Sequence, residues 1–295
     1  MKTGISPKLV VLLGVVSVSV SPLLSKAAEA PANIIAFNRM LFALGLMFLL
    51  KPRTFVKDLG NVSRKDRWIS WCSGIFLAFH FYAWIASLQY TNIANSTVLV
   101  SMHPPILLVV SYLLFREVPG RKQLFAVGLT LLGTVALAYR DLGMAKDSLF
   151  GDGLALAGAG FMVGYLLLGR SARERLTNDQ YTLHTYLSCM LTLLVISLTL
   201  GTPLFSYGLR EYGIFLLLAI FPTLLGHSIF NWALAYVSPT YISVSVLGEP
   251  VLASILALLF FAEPIGLNQL VGGTGILLGI FLYSRAGVGH VKAEQ

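Results

Sequence analysis

Residues 247–264 read Leu247-Gly248-Glu249-Pro250, then a run from Val251 to Phe261, then Ala262-Glu263-Pro264. One Glu-Pro pair opens the run and a second closes it, with no charged side chain between them. Together with the residues from Thr240 onward, this makes an apolar stretch, Thr240–Phe261, interrupted by a single acid. A bilayer's hydrocarbon core is crossed by roughly 20 helical residues. Backbone in lipid must satisfy its own hydrogen bonds, so a stretch of this length predicts a membrane helix.

Nine further stretches read the same way: Lys8–Leu24, Asn33–Leu50, Trp68–Leu88, Asn95–Phe115, Gln123–Tyr139, Gly151–Gly169, Tyr181–Leu200, Tyr212–Leu234 and Leu267–Ser284. The longest connection, Lys51 to Arg67, leaves no room for a soluble domain. Of the 295 residues, 56% are hydrophobic and 12% charged, against roughly 25% charged in a soluble domain. Lys2 and Lys8 before an apolar stretch, with Ala28-Glu29-Ala30 after it, have the outline of a secretory signal peptide. Retained in the protein, the same stretch is the first of ten spans.

The net charge is +8. In a soluble protein this would raise nucleic-acid binding, but here the basic residues cluster between apolar runs and no nucleic-acid partner is expected. With the N-terminus in the cytoplasm, sixteen of the 21 lysines and arginines fall on the cytoplasmic side, among them Arg64, Lys65, Arg67, Arg121 and Lys122. Lys26, Arg140, Lys146 and Arg210 fall on the other, and Arg39 lies within a span. That bias predicts a multi-pass protein of the cytoplasmic (inner) membrane with both termini inside.

The chain also repeats. Met102-His103-Pro104-Pro105 matches Gly248-Glu249-Pro250-Val251, and thirteen residues beyond Pro104 and Pro250 come Glu117 and Glu263. Trp84-Ile85-Ala86 pairs with Trp232-Ala233-Leu234, and Leu131-Leu132-Gly133 with Leu277-Leu278-Gly279. Five spans per half is an odd number, so the second half enters the membrane the opposite way up, a layout used by secondary transporters. The expected architecture is an all-α membrane protein. Ten transmembrane helices form two inverted five-helix repeats, residues 1–140 and 141–285, followed by a cytoplasmic tail, 286–295.

On this layout, on Asn38-Arg39 in the second span, and on the Pro-to-Glu spacing of each half, the chain resembles EamA-type members of the drug/metabolite transporter superfamily. The first half departs from the pattern with His103 where the second has Glu249. The resemblance implies a basket of helices around a central cavity, walled chiefly by the third, fourth, eighth and ninth spans. It also implies export of small metabolites, including amino acids in one bacterial branch.

Ionisable groups inside a membrane are costly and face a cavity or a partner. Glu249 lies near mid-span, beside the backbone hydrogen bond that Pro250 cannot make. His80 and Trp84 are four apart on the third span and share a face, as do His227 and Asn231 on the eighth. Ser101 and His103, with Pro104 and Pro105, form the first-half counterpart of the segment Ser245–Pro250. Tyr165 adds an aromatic contact from the sixth span. Apart from the prolines, these nine residues are the candidate cavity lining. Arg39, Pro104 and Pro250 are candidate structural or gating residues.

The proposed lining is aromatic and neutral-polar, which suits zwitterions or neutral solutes better than multiply charged phosphates. A small-molecule substrate and the lipid bilayer are the expected partners. The GxxxG spacings Gly160–Gly164 and Gly275–Gly279 predict close helix packing, and a homodimer is a further use of them. No cofactor or metal is expected: the five histidines show no HExxH-like cluster, and Cys72 and Cys189 make no thiolate site. A membrane-embedded enzyme is therefore disfavoured. The same cavity without a coupling ion would serve a passive facilitator.

Overall fold

A computed structural model describes residues 6–91, 96, 99–138, 148–261, 265–286 and 291–292. Helices α1 (Pro7–Val18) and α2 (Ser21–Ala27) form the first span. Their break follows from Pro22, which cannot donate to the carbonyl one turn back. Helix α3 (Ala32–Leu50) ends at Lys51 because Pro52 disfavours helical backbone in the residue before it.

The long connection is not a loop. Pro52 opens a short helix, α4 (Pro52–Gly60), and Ser63 caps the next, α5 (Arg64–Tyr90), accepting the Asp66 amide at 3.1 Å. That cap extends the third span four residues upstream of its expected start at Trp68. The Ser63-x-x-Asp66 spacing is its sequence signal.

Helix α6 (His103–Phe115) is followed by strand β1 (Glu117–Val118) and α7 (Arg121–Ala138). The strand pairs antiparallel with β2 (Val291–Lys292). Helices α8 (Ser148–Arg173) and α9 (Asn178–Thr199) come next, the latter opened by a Thr177–Gln180 capping box. The eighth span runs through α10 (Leu209–Leu218), a π-helix (Ala219–His227) and α11 (Ser228–Ala233). The ninth is split into α12 (Pro239–Val246) and α13 (Glu249–Phe261), and α14 (Leu267–Arg285) is the last helix.

Eight helical segments among the described residues are long and apolar enough to cross a membrane. His103–Leu114 is a shorter apolar helix, and α7 opens on the polar residues Arg121, Lys122 and Gln123. The chain is an all-helical, multi-pass membrane protein apart from the two-residue β1–β2 ladder.

Helix α5 runs along α8 and α9, α9 packs on α3, and α7 runs along α14. Helix α1 packs on the π-helix and α11 on one side and touches α12 and α13 on another, while α6 meets α8 and α12. The α7–α14 seam is set by glycine. A Cβ at Gly133 would lie 2.7 Å from the Gly272 carbonyl oxygen, and one at Gly279 would collide with Thr130. The expected Gly275–Gly279 pairing is thus part of a longer glycine edge. In the other pair Gly164 packs against the Phe76 ring, while nothing lies near Gly160.

Polar contacts gather at opposite helix ends. Lys8 reaches the Ser284 carbonyl, Lys51 pairs with Asp179 at 2.9 Å, and Arg175 pairs with Asp66 at 2.7 Å. At the other ends Lys26 donates to the Leu88 carbonyl and Arg210 pairs with Glu29 at 3.1 Å. The sorting by charge placed the members of each group on one common side.

Candidate functional site: a cavity where four helix breaks meet

Four spans lose regular α-helix in mid-course: the first at Ser19–Val20, the fourth at Ser101–Met102, the eighth through the π-helix, and the ninth at Leu247–Gly248. Each break departs from the regular α-helical ladder, which in lipid is tolerable only inside protein or beside a cavity. The breaks converge on one cavity. It is lined by Ser21 and Pro22 after the first break, Val100 and His103 around the second, Pro222 and His227 of the π-helix, and Val246 and Glu249 around the fourth. Arg39, His80, Phe81, Trp84, Met162 and Phe230 complete much of the wall. Its volume is about 60 Å³. One water needs roughly 10–15 Å³ by this measure, so there is space for several waters or a compact solute.

Prolines 104 and 250 do not kink helices from within. They stand in the first turn of α6 and α13, where a missing N–H is one of the unpaired donors anyway. Glu249 and His103 therefore occupy the same place in the two halves: the first residue of the helix beyond a break.

Arg39 is the largest fully buried side chain, 1% exposed, and its environment follows from one proline. Pro222 has no N–H, so the Leu218 carbonyl has no donor at the α-helical position four residues on, and the chain widens into the π-helix there. The Thr223 hydroxyl also donates to that carbonyl, at 2.7 Å. The same hydroxyl oxygen accepts Arg39 Nε–H at 2.6 Å. Nη1 points to Ser21 Oγ at 3.5 Å, and the guanidinium lies 4.0 Å over the Phe81 ring, a cation–π contact. Nη2 is buried and has no partner. Arg39 was assigned a structural or gating part from sequence; its wall position at the cavity is a structural finding.

His80 Nδ1 lies 2.9 Å from the Gly158 carbonyl. A carbonyl only accepts, so Nδ1 carries the hydrogen and the neutral ring presents Nε2 as an acceptor. Trp84 lines the same cavity one turn further along α5. The His103 and His227 rings are buried with Nδ1 unpartnered, and His227 stands edge-on to Phe81, ring centres 5.0 Å apart.

Four candidates lie elsewhere. Tyr165 donates to Asn231 Oδ1, and the Asn231 amide donates to Thr182 Oγ1 at 3.2 Å. This buried network is set behind His227, where the ring centres of Tyr165 and His227 are 6.0 Å apart. Ser245 turns back to the Tyr241 carbonyl at 2.7 Å. Ser101 is buried at its helix break and is not among the lining residues. Glu263 and the side chain of Glu117 lie outside the described residues.

A second cavity, about 200 Å³, opens between the end of α3, α4 and α9, beside the Lys51–Asp179 pair. It is lined by Asp58, Thr182 and Ser228 among others. The Tyr186 hydroxyl lies 3.0 Å from both the Thr223 carbonyl and Ser228 Oγ, and Ser228 lines this second cavity while its neighbour His227 lines the first. Asp58 is buried at this second cavity, and burial first, then the nearby Asp179 carboxylate, push its pKa above the ordinary carboxylate value.

Among the described residues no group of three or more His, Cys, Asp or Glu side chains could hold a metal. A transporter of Archaeoglobus fulgidus, otherwise uncharacterized, is 24% identical over 275 residues, 92% of each chain. One from Clostridium kluyveri is 21% identical over 263 residues, 87% of this chain and 84% of that one. A solved structure described only as the crystal structure of a protein superposes with a TM-score of 0.77 at 16% identity, covering 96% of this chain and 99% of that one. It shows that the fold has been seen before. The sequence model of the EamA-like transporter family matches twice, over residues 6–139 and 149–285. With both halves matched, this chain belongs to the EamA-like transporter family, within the drug/metabolite transporters, and is a transporter rather than an enzyme.

Proposed function

We propose that the protein exports a small metabolite, with amino acids the preferred class, across the cytoplasmic membrane by alternating access. The observation that carries this reading is the convergence of four helix breaks on one cavity that holds Arg39, Glu249 and three histidines. Broken spans around a central site are the arrangement by which secondary transporters expose one binding place to either side in turn.

The proposed repeats are residues 1–140 and 141–285, inverted with respect to each other, with both termini cytoplasmic. The packing supports them. The third span lies on the sixth as the eighth lies on the first, and the fourth lies on the sixth as the ninth lies on the first. The fifth pairs with the tenth. Exchanging the halves leaves this set of pairings unchanged. The second cavity, beside Lys51 and Asp179, is then a cytoplasmic vestibule, closed off from the central one by Tyr186 and Thr223.

Counterflow in proteoliposomes tests the function. Vesicles loaded with unlabelled glycine, alanine, serine or threonine should accumulate the labelled solute faster than protein-free vesicles. Equal rates across a broad metabolite panel would count against transport through this cavity.

A further inference from the structure

The central cavity holds two ionisable side chains that are not paired with each other. Arg39 and Glu249 both line it, yet no ion pair within 4.0 Å joins them. Arg39 spends Nε on Thr223 and Nη1 on Ser21, while Nη2 is buried, donates to nothing and belongs to a cavity-lining side chain. Leaving a donor of a buried guanidinium unmade is costly, and a membrane interior makes an unpaired charge more so. The guanidinium is also held in place. Thr223 fixes Nε through a hydroxyl that is itself tied to the Leu218 carbonyl, and the Phe81 ring covers one face. A preorganised guanidinium with a spare N–H is a group built to receive a carboxylate.

From this juxtaposition we infer that Arg39 is the carboxylate-binding residue of the cavity, with Thr223 the positioning residue that aims it. The second pole, Glu249, faces the same space from the start of α13 and suits an ammonium group. The solute class is then a compact zwitterion with one carboxylate and one amine, not an organic amine, a simple acid or a phosphate ester. This inference rests on the central cavity being the transport site, and deepens that reading from a solute class to the residue that binds its carboxylate and the one that aims it. The small volume of the cavity favours the smallest members of the class.

The test reads binding apart from flux. Thermal stabilisation of the purified, detergent-solubilised protein is titrated with glycine, alanine, serine and threonine, then with alaninamide, propionate and ethylamine. At least one zwitterion should stabilise the protein. Alaninamide, which keeps the amine and lacks the carboxylate, should need a roughly 10- to 100-fold higher concentration, the ratio a lost charge-assisted hydrogen bond sets. R39Q should lose the response to the zwitterion. Should R39Q fail to fold, the pair T223V and T223S decides: Val should weaken zwitterion binding several-fold, and Ser, which restores the hydroxyl, should recover it. The inference is overturned if no zwitterion stabilises the wild type, if alaninamide binds as well as alanine, or if T223V and T223S bind alike. Counterflow in proteoliposomes judges the transport reading separately, because binding with this pattern and no flux would leave Arg39 the carboxylate site of a protein that does not transport.

Discussion

Thr223 shows how much one hydroxyl can settle. It donates to the Leu218 carbonyl, which Pro222 leaves without an α-helical donor, and accepts from a buried guanidinium. Thr223→Val should therefore cost about 1–3 kcal/mol of stability, the range for leaving a buried polar group unsatisfied. Chemical denaturation in detergent checks this, and Thr223→Ser should recover most of the loss. Asp58 gives a pH prediction. Its folded-state pKa is raised, so the native state holds the proton more tightly than the unfolded chain does. Stability from this group is then gained as pH falls through the raised pKa toward the ordinary value of 3.8, and lost as pH rises. Asp58→Asn should raise the unfolding temperature at pH 7 and flatten its dependence on pH below that, as thermal melts of the two proteins would show. A wild-type stability that instead rises with pH in that window, and does so less in the variant, would contradict the sign. At this scale the sequence was informative about single residues that stand out chemically. His80, Trp84, His103, His227 and Glu249 all reach the central cavity. Ser21 and Thr223 were missed because a hydroxyl in an apolar run carries no sign of its partner. The only available signal was the proline beside each.

Among the elements, length and apolarity placed the spans, while their interruptions depended on local chemistry. Pro22, Pro104, Pro222 and Pro250 stand at or next to the four breaks. Pro104 stands among the candidate structural or gating residues of the fourth span. The break falls just ahead of it, because proline fits the first turn of a helix better than its middle. The π-helix was not legible at all: Pro222 marks a disturbance, but widening over nine residues depends on tertiary partners such as Tyr186. Helix α4 lies in what apolar length marks only as a connection, because its nine residues fall well short of a span. The glycine edge between α7 and α14 yields a prediction. Gly272→Leu would push a side chain into the backbone of Gly133 and Leu137. It should destabilise by about 1–3 kcal/mol or more, the usual cost of overpacking, visible as a lowered unfolding temperature. Gly160→Leu, with nothing near its added side chain, should leave that temperature nearly unchanged.

For the molecule as a whole, apolar length carried the all-helical, multi-pass reading, because it averages over many residues and tolerates errors at any one. The lysines and arginines sorted to one side make their ion pairs there, as with Lys51–Asp179 and Arg175–Asp66. What one sequence could not supply was which helix faces meet, and so which polar residues share a cavity. Tyr165 and Asn231 had the same claim as His80 but stand behind the wall, bonded to each other. The central claim is that the cavity bounded by four broken spans is a solute site open to each side in turn. Its most direct test is side-resolved labelling of Val246→Cys, a lining position, in a background with Cys72 and Cys189 replaced by Ser and Ala. A membrane-impermeant thiol reagent is added from either side of oriented vesicles, with and without alanine. The account predicts modification from both sides, slowed by alanine. Modification from one side only, or from neither, would contradict it.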